Sequence, residues 1–288
     1  LVSCKVNRII MNNESPFQQF VTEQKSTQSN QLSFGIRKAL LYSFVAIFVW
    51  QFVGGIISLP GLFYKPLNHL TLPLGFLGGT LAAIVLLLML TQTKLAVILQ
   101  SIKHPFTLVQ LFLSVACWFF FLPLAEYFTT LIPTDGIFED LYQTFQHSFE
   151  MMLDYKIAGF IMVCLFAPIF EEIIFRGIIL KGMLNFNVNP TKAILLNGLI
   201  FGCAHMNPWQ FIGAGMLGVI FGYVYYRTKS LFLPIVLHFL NNTLSYGLMM
   251  KQGNMEGEVF ETNYILLIGL TCVGIASLYL LSRQTKTT

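Results

Sequence analysis

Charge is the scarcest thing in this sequence. Only 10% of its 288 residues are Asp, Glu, Lys or Arg, whereas a soluble domain carries about 25%. So few charges cannot cover the surface of a water-soluble fold of this length, and that excludes a soluble enzyme. Residues 1–36 are polar and lack an apolar core, so they are expected to be a flexible tail and not a cleavable signal peptide. No internal repeat is evident, which argues against an inverted-repeat transporter. The five cysteines have neither disulfide-framework nor zinc-type spacing; Cys117, Cys164, Cys203 and Cys272 fall in apolar segments and read as small buried hydrophobes, with Cys4 in the tail.

What is abundant is apolar surface. Hydrophobic residues make up 55% of the chain, 28 of them Phe. A bilayer crossing takes about 20 apolar residues in a helix. Eight segments qualify or come close: 38–59, 72–92, 107–128, 157–180, 192–206, 209–226, 231–250 and 264–282. The fifth is short and the fourth carries charge. A further stretch, 136–153, repeats Ile137, Leu141, Phe145 and Phe149 every four residues, with Phe138, Tyr142 and Met152 beside them and polar residues between. That pattern suits an amphipathic helix lying in the membrane interface. The expected fold is therefore all-α: a polytopic membrane protein of about eight transmembrane helices plus an interfacial helix. It divides into the tail (1–36), accessory helices with the amphipathic segment (37–154), and a core (155–288). Gly198 with Gly202, and Gly218 with Gly222, have the four-residue spacing that lets helix backbones touch.

Lys and Arg accumulate on cytoplasmic loops. With the amino terminus inside, the inner segments hold 13 cations, Lys94, Lys103, Lys181, Lys192, Arg227 and Lys229 among them, against three outside (Lys65, Lys156 and Lys251). Both termini are thus expected in the cytoplasm, in what is read as a bacterial cytoplasmic membrane. The net charge of +4 is an orientation signal and implies no nucleic-acid partner.

The fourth segment contains Ala167-Pro168-Ile169-Phe170-Glu171-Glu172-Ile173-Ile174-Phe175-Arg176. Ionisable groups inside a span are costly, rare and usually functional. In a helix Glu172 and Arg176 lie about 40° apart and can pair, while Glu171 points roughly 140° from Arg176. One acid is held by the arginine, and the other is left to face a cavity, as a general base would. Pro168 removes a backbone hydrogen bond just before the pair and is expected to kink the helix. A structural ion pair beside a neutral Glu would also account for this span alone. The fifth segment ends Phe201-Gly202-Cys203-Ala204-His205, and the seventh contains His238-Phe239-Leu240-Asn241-Asn242, in which His238 and Asn242 share a face. Each could be packing or interhelical glue by itself. Height joins them: Glu171, His205 and His238 stand about 15, 20 and 11 Å above the inner ends of their helices. Three polar positions therefore share a layer near mid-membrane.

Glu-Glu-x-x-x-Arg, then Phe-x-x-x-His, then His-x-x-x-Asn, in that order, resembles the CAAX protease and bacteriocin-processing (Abi) family, the type II CAAX prenyl endopeptidase-like proteins. The resemblance covers about 155–250, with no departure at the key positions. It implies an intramembrane endopeptidase that cleaves near the carboxyl terminus of a peptide or lipidated protein in the membrane. By that likeness Glu171 and His205 activate water, His238 and Asn242 stabilise the oxyanion, and Glu172 and Arg176 orient the site. Other membrane proteases fit less well. There is no His-Glu-x-x-His and no Gly-x-Ser-x-Gly, and no Asp in any apolar segment. No cofactor is required by this reading. A zinc ion on Glu171, His205 and His238 is also permitted by donor type, although Asn is a poor zinc ligand. A non-catalytic scaffold or immunity protein of the same fold, or a proton-coupled carrier using Glu171 and His205, remain the other readings.

Overall fold

The computed structural model describes residues 32–252 and 263–284, without side-chain detail at 148, 149 and 151–153. All regular structure among these residues is helical: α1 (Ile36–Phe63), α2 (Asn68–Thr91), α3 (Leu95–Ile102), α4 (Leu108–Thr130), α5 (Glu139–Asp154), α6 (Lys156–Asn185), α7 (Pro190–Cys203), α8 (Pro208–Thr228), α9 (Phe232–Gln252) and α10 (Tyr264–Arg283). The chain is an all-α polytopic membrane protein. Five helices, α1, α2 with its preceding turn, α4, α6 and α10, are long and apolar enough to cross a bilayer. The other three expected spans fall on α7, α8 and α9. Of these, α7 has 14 residues, about 21 Å of helix against a hydrocarbon core of about 30 Å.

Sequence punctuation sets these boundaries. Asn189 and Asn207 each accept a backbone N–H at a helix start and are followed by Pro190 and Pro208. Thr107 and Gln110 form a reciprocal capping box at the start of α4. Pro208 also disfavours helical backbone at Asn207, so α7 cannot run on into α8. It stops at Cys203, Met206 turns with φ 56°, and His205 sits in that turn. His205 therefore lies just past a helix end, not within a span reaching 206.

Helix α6 is the axis of the molecule. Every residue from Ile173 to Leu180 is buried, as expected of a helix surrounded on all sides. Helices α1, α2, α7, α8 and α9 pack around it, while α4 and α10 pair alongside α8 and α9. The outer surface is apolar, with Phe44, Phe48, Phe52, Phe112, Met89 and Ile265 all exposed. Such a surface is stable only against lipid.

The paired small residues do bring backbones together. A Cβ at Gly202 would meet the Phe211 carbonyl at 2.5 Å, and one at Gly218 would meet the Gly198 Cα at 3.1 Å. The amphipathic helix forms as α5, but its apolar stripe divides. Phe138, Tyr142 and Phe145 pack on Trp209 in the first turn of α8, with ring centroids 6.4, 4.9 and 5.5 Å away. Ile137 and Leu141 face outward. The side chains of Phe149 and Met152 lie outside the described residues. Helix α5 thus covers the start of α8, next to the turn of the short α7–α8 hairpin.

Two expectations need correction. Cys117 and Cys164 are buried, but Cys203 and Cys272 are exposed on the apolar surface, because a span has a lipid face as well as a core. Residues 32–35, assigned by sequence to the tail, dock on α6. Leu32 and Phe34 are buried, the Phe34 N–H donates to the Gly182 carbonyl at 3.0 Å, and Asn185 donates to the Leu32 carbonyl at 2.8 Å. Two apolar side chains in a polar context were enough to anchor the segment. The remainder of the tail, through residue 31, lies outside the described residues.

Candidate active site

The glutamate pair sits between two irregularities in α6. Residues Ile161–Phe166 and Ile173–Leu180 form wide turns whose hydrogen bonds reach one residue further than in an α-helix, and the six residues Ala167–Glu172 between them are α-helical. The interruption expected at Pro168 therefore takes the form of a widened turn ahead of it. Such widened turns are frequent at functional sites. Two partners hold them. Asn242 Nδ2 donates to the Val163 carbonyl at 2.8 Å, and Asn197 Nδ2 donates to the Phe175 carbonyl at 2.9 Å.

Glu172 is the hub of the cluster. Arg176 Nη1 donates to its Oε1 at 2.8 Å, with both side chains fully buried. His238 Nδ1 lies 3.0 Å from the same oxygen. Arg176 is fixed further by donating from Nη2 to the Gly218 carbonyl at 2.9 Å, and its guanidinium lies 4.3 Å above the Phe201 ring. Charge assistance, a second acceptor and ring stacking make this a rigid, desolvated pair. The Glu172–Arg176 pairing expected from helix geometry is present, and His238 joins it.

Glu171 is arranged differently. It is 5% exposed, and its Oε2 has no hydrogen-bond partner among the described residues. His238 Nε2 lies 4.0 Å from that oxygen. That is too long for a direct hydrogen bond and suits a bridging water. His238 thus spans both acids, with Nδ1 on Glu172 and Nε2 toward Glu171.

His205 approaches through an aromatic ring. Its Nδ1 lies 2.9 Å from the Phe201 carbonyl, so the proton on Nδ1 is the one that satisfies this acceptor and Nε2 is left as the lone-pair nitrogen. The imidazoles of His205 and His238 both meet Phe201 edge-on, at centroid distances of 5.1 and 5.6 Å. Asn207 Nδ2 donates to the His205 carbonyl at 3.0 Å and steadies the turn.

Of the six residues singled out by sequence, Glu171, Glu172, Arg176 and His238 are in one contact set, and His205 is joined to it by Phe201. Asn242 does not pair with His238. It bonds to the widened turn and accepts from Asn241 at 3.3 Å, and Asn241 in turn accepts from Trp118. Phe201, the Gly218 carbonyl and Asn197 were not assigned a role from sequence. Phe201 was visible as the first residue of Phe-x-x-x-His, and Gly218 as a close-packing glycine. Nothing in the spacing marked Asn197. The zinc set permitted by donor type is not gathered, since no three His, Cys, Asp or Glu side chains among the described residues converge as ligands. The Nδ1 atoms of both histidines are committed elsewhere, to the Phe201 carbonyl and to Glu172.

Known proteins give an independent comparison. Residues 154–244 match the model of the type II CAAX prenyl endopeptidase Rce1-like family. The chain is 34% identical over 102 residues to a putative membrane peptidase, YdiL, of Bacillus subtilis, covering 35% of this chain and 41% of that protein. It is 37% identical over 94 residues to the membrane-embedded CAAX protease MroQ of Staphylococcus aureus, covering 30% of this chain and 38% of that protein. The matches thus span about two fifths of each relative's length. No solved structure matches significantly. The matched stretch, residues 154–244, holds all six residues of the cluster, and over it this chain is similar to the type II CAAX prenyl endopeptidase Rce1-like family.

Proposed function

We propose that the protein is an intramembrane endopeptidase that hydrolyses a peptide bond near the carboxyl terminus of a membrane-associated peptide or protein, lipidated substrates included. One observation carries the reading: a buried Glu171 Oε2 with no hydrogen-bond partner among the described residues, 4.0 Å from His238 Nε2, beside a second acid, Glu172, whose Oε1 is held by both Arg176 and His238. The family-model match over 154–244 and the names of both relatives support it.

A water between Glu171 and the substrate carbonyl gives a proton to the Glu171 carboxylate while its oxygen bonds to the carbonyl carbon. His205, held through Nδ1, presents Nε2 to position that water. Negative charge then develops on the carbonyl oxygen. His238, held through Nδ1 on Glu172, donates from Nε2 to that oxygen. The second N–H of the Asn242 amide completes the oxyanion site, the first being fixed on Val163. Collapse of the tetrahedral species breaks the C–N bond, and the proton held by Glu171 passes to the leaving amine. Glu172 and Arg176 hold His238 in register. The scheme needs no metal and no covalent intermediate. The cation-rich end of the bundle is assigned to the cytoplasm, with both termini there.

The test is cleavage of a panel of prenylated and unmodified carboxyl-terminal peptides by protein reconstituted in lipid nanodiscs. Wild type should cleave at least one class, while Glu171→Gln and His205→Ala should both lose that activity and stay folded. Cleavage persisting in both variants contradicts the assignment. A cellular phenotype that survives both substitutions points to a scaffold of the same fold.

A further inference from the structure

Away from the glutamate cluster, α3, the last turn of α6 and the carboxyl end of α8 line a half-open cavity of about 170 Å³. Its polar lining is Ser101, His104, Lys181, Asn185, Tyr225 and Lys229. Lys181 is ten residues beyond Glu171 on the same helix, about 15 Å along the axis. This cavity is therefore separate from the proposed active site.

Its chemistry has one sign. No carboxylate lines it. Every acid among the described residues is either in the buried cluster or between Glu126 and Asp154, toward the opposite end of the bundle. Lys181 is partly buried, and its Nζ donates to two neutral oxygens, Ser101 Oγ at 2.8 Å and the Val97 carbonyl at 3.2 Å. Neither bond supplies a counter-charge, which a cation at the edge of a bilayer ordinarily requires.

Lys229 brings a second ammonium group to the cavity. It closes α8 in the left-handed region, with φ 60°, where glycine is the usual residue because a side chain is strained there. A lysine occupies the position instead, with Nζ 4.8 Å from the Tyr226 ring. Two ammonium groups, an imidazole and two hydroxyls line a donor-rich pocket at the helix ends. Basic pockets between transmembrane helices at that level suit anionic lipid headgroups.

We propose that this cavity binds a phosphate group, contacted by Lys181 and Lys229, and that in the membrane the phosphate is carried by an anionic phospholipid. The inference does not depend on the peptidase reading.

Full-length protein in neutral detergent, titrated with phosphatidylglycerol, phosphatidylcholine or inorganic phosphate and read by native mass spectrometry, tests it. Wild type should retain phosphatidylglycerol in preference to phosphatidylcholine. The double variant Lys181→Gln/Lys229→Gln should bind it about tenfold more weakly, and Lys181→Arg should bind nearly as wild type. A control that removes two exposed cations at the same end, Lys38→Gln/Lys192→Gln, should change binding less than twofold. An equal loss in the control overturns the site in favour of diffuse surface charge, as does binding that the double variant leaves unchanged. Saturable inorganic phosphate binding that requires Lys181 and Lys229, without phosphatidylglycerol retention, keeps the phosphate site and rejects the lipid as its source. Should the double variant fail to fold, Lys229→Gln alone, at the surface of the cavity, should still weaken phosphatidylglycerol binding about threefold. No change in that variant counts against the proposal.

Discussion

Replacing Arg176 by Met should be among the most damaging substitutions in the chain for stability. The guanidinium is fully buried, bonds Glu172 at 2.8 Å and the Gly218 carbonyl at 2.9 Å, and lies 4.3 Å above Phe201. Methionine fills much of the volume but strands both acceptors. Breaking a buried ion pair by removing one partner costs about 3–5 kcal/mol. The orphaned carbonyl adds about 1 kcal/mol. Part of this is offset because His238 still contacts Glu172 Oε1, so about 3 kcal/mol is the expected net loss. The double variant Glu172→Gln/Arg176→Met removes the stranded charge and should be about 1–2 kcal/mol less destabilised than the sum of the singles. Arg176→Lys should behave more like the methionine than the charge suggests, because a single ammonium cannot reproduce the planar fork that meets two acceptors. Equilibrium unfolding by SDS titration in mixed micelles, followed by tryptophan fluorescence, measures all four. A loss below about 1 kcal/mol for Arg176→Met, or strict additivity in the double variant, would show that the pair is not coupled as described.

Three further outcomes follow from the same geometry. Gly202→Ala should destabilise by about 1–3 kcal/mol through collision with the α8 backbone, whereas Gly247→Ala, where a Cβ meets nothing within 4 Å, should be neutral or slightly stabilising; the same SDS titration separates them. Phe145→Ala should loosen α5 from Trp209 and raise the rate of proteolytic nicking between α5 and α6 several-fold, while Ile137→Ala, on the exposed side of the stripe, should leave it unchanged. Titration of active protein with a strong zinc chelator should leave the cleavage rate within twofold, and elemental analysis should find less than stoichiometric zinc; activity lost on chelation and restored by zinc would contradict a scheme run by side chains alone.

The parts of the fold that were legible in the sequence follow from periodicity and solvent. The scarcity of charge placed the chain in lipid, and Glu172 and Arg176 could be paired from helical spacing alone. The rest depended on contacts between helices that no spacing encodes. The distance from Glu172 to His238 crosses 66 residues of chain, so Glu172 read as the partner of Arg176 only. Asn242 shared a face with His238, yet its amide is drawn to a carbonyl released by the widened turn at Val163. Neither that turn nor the one around Arg176 could be foreseen, because a widened turn depends on which neighbours satisfy the freed carbonyls. Span lengths were overestimated at His205, where the constraint of Asn207-Pro208 outweighed hydropathy. Docking of Leu32 and Phe34 was missed because two apolar residues carry no periodic signal.

The most direct test of the central claim is the single-turnover rate of Glu171→Gln in nanodiscs, on whichever peptide the wild type cleaves, with binding measured separately. Glutamine keeps the shape and polarity of the side chain but cannot accept the water's proton. A loss of about 10³-fold in the cleavage step with substrate affinity within a few-fold of wild type is the expected result. A rate within tenfold of wild type would contradict the assignment of Glu171 as the base.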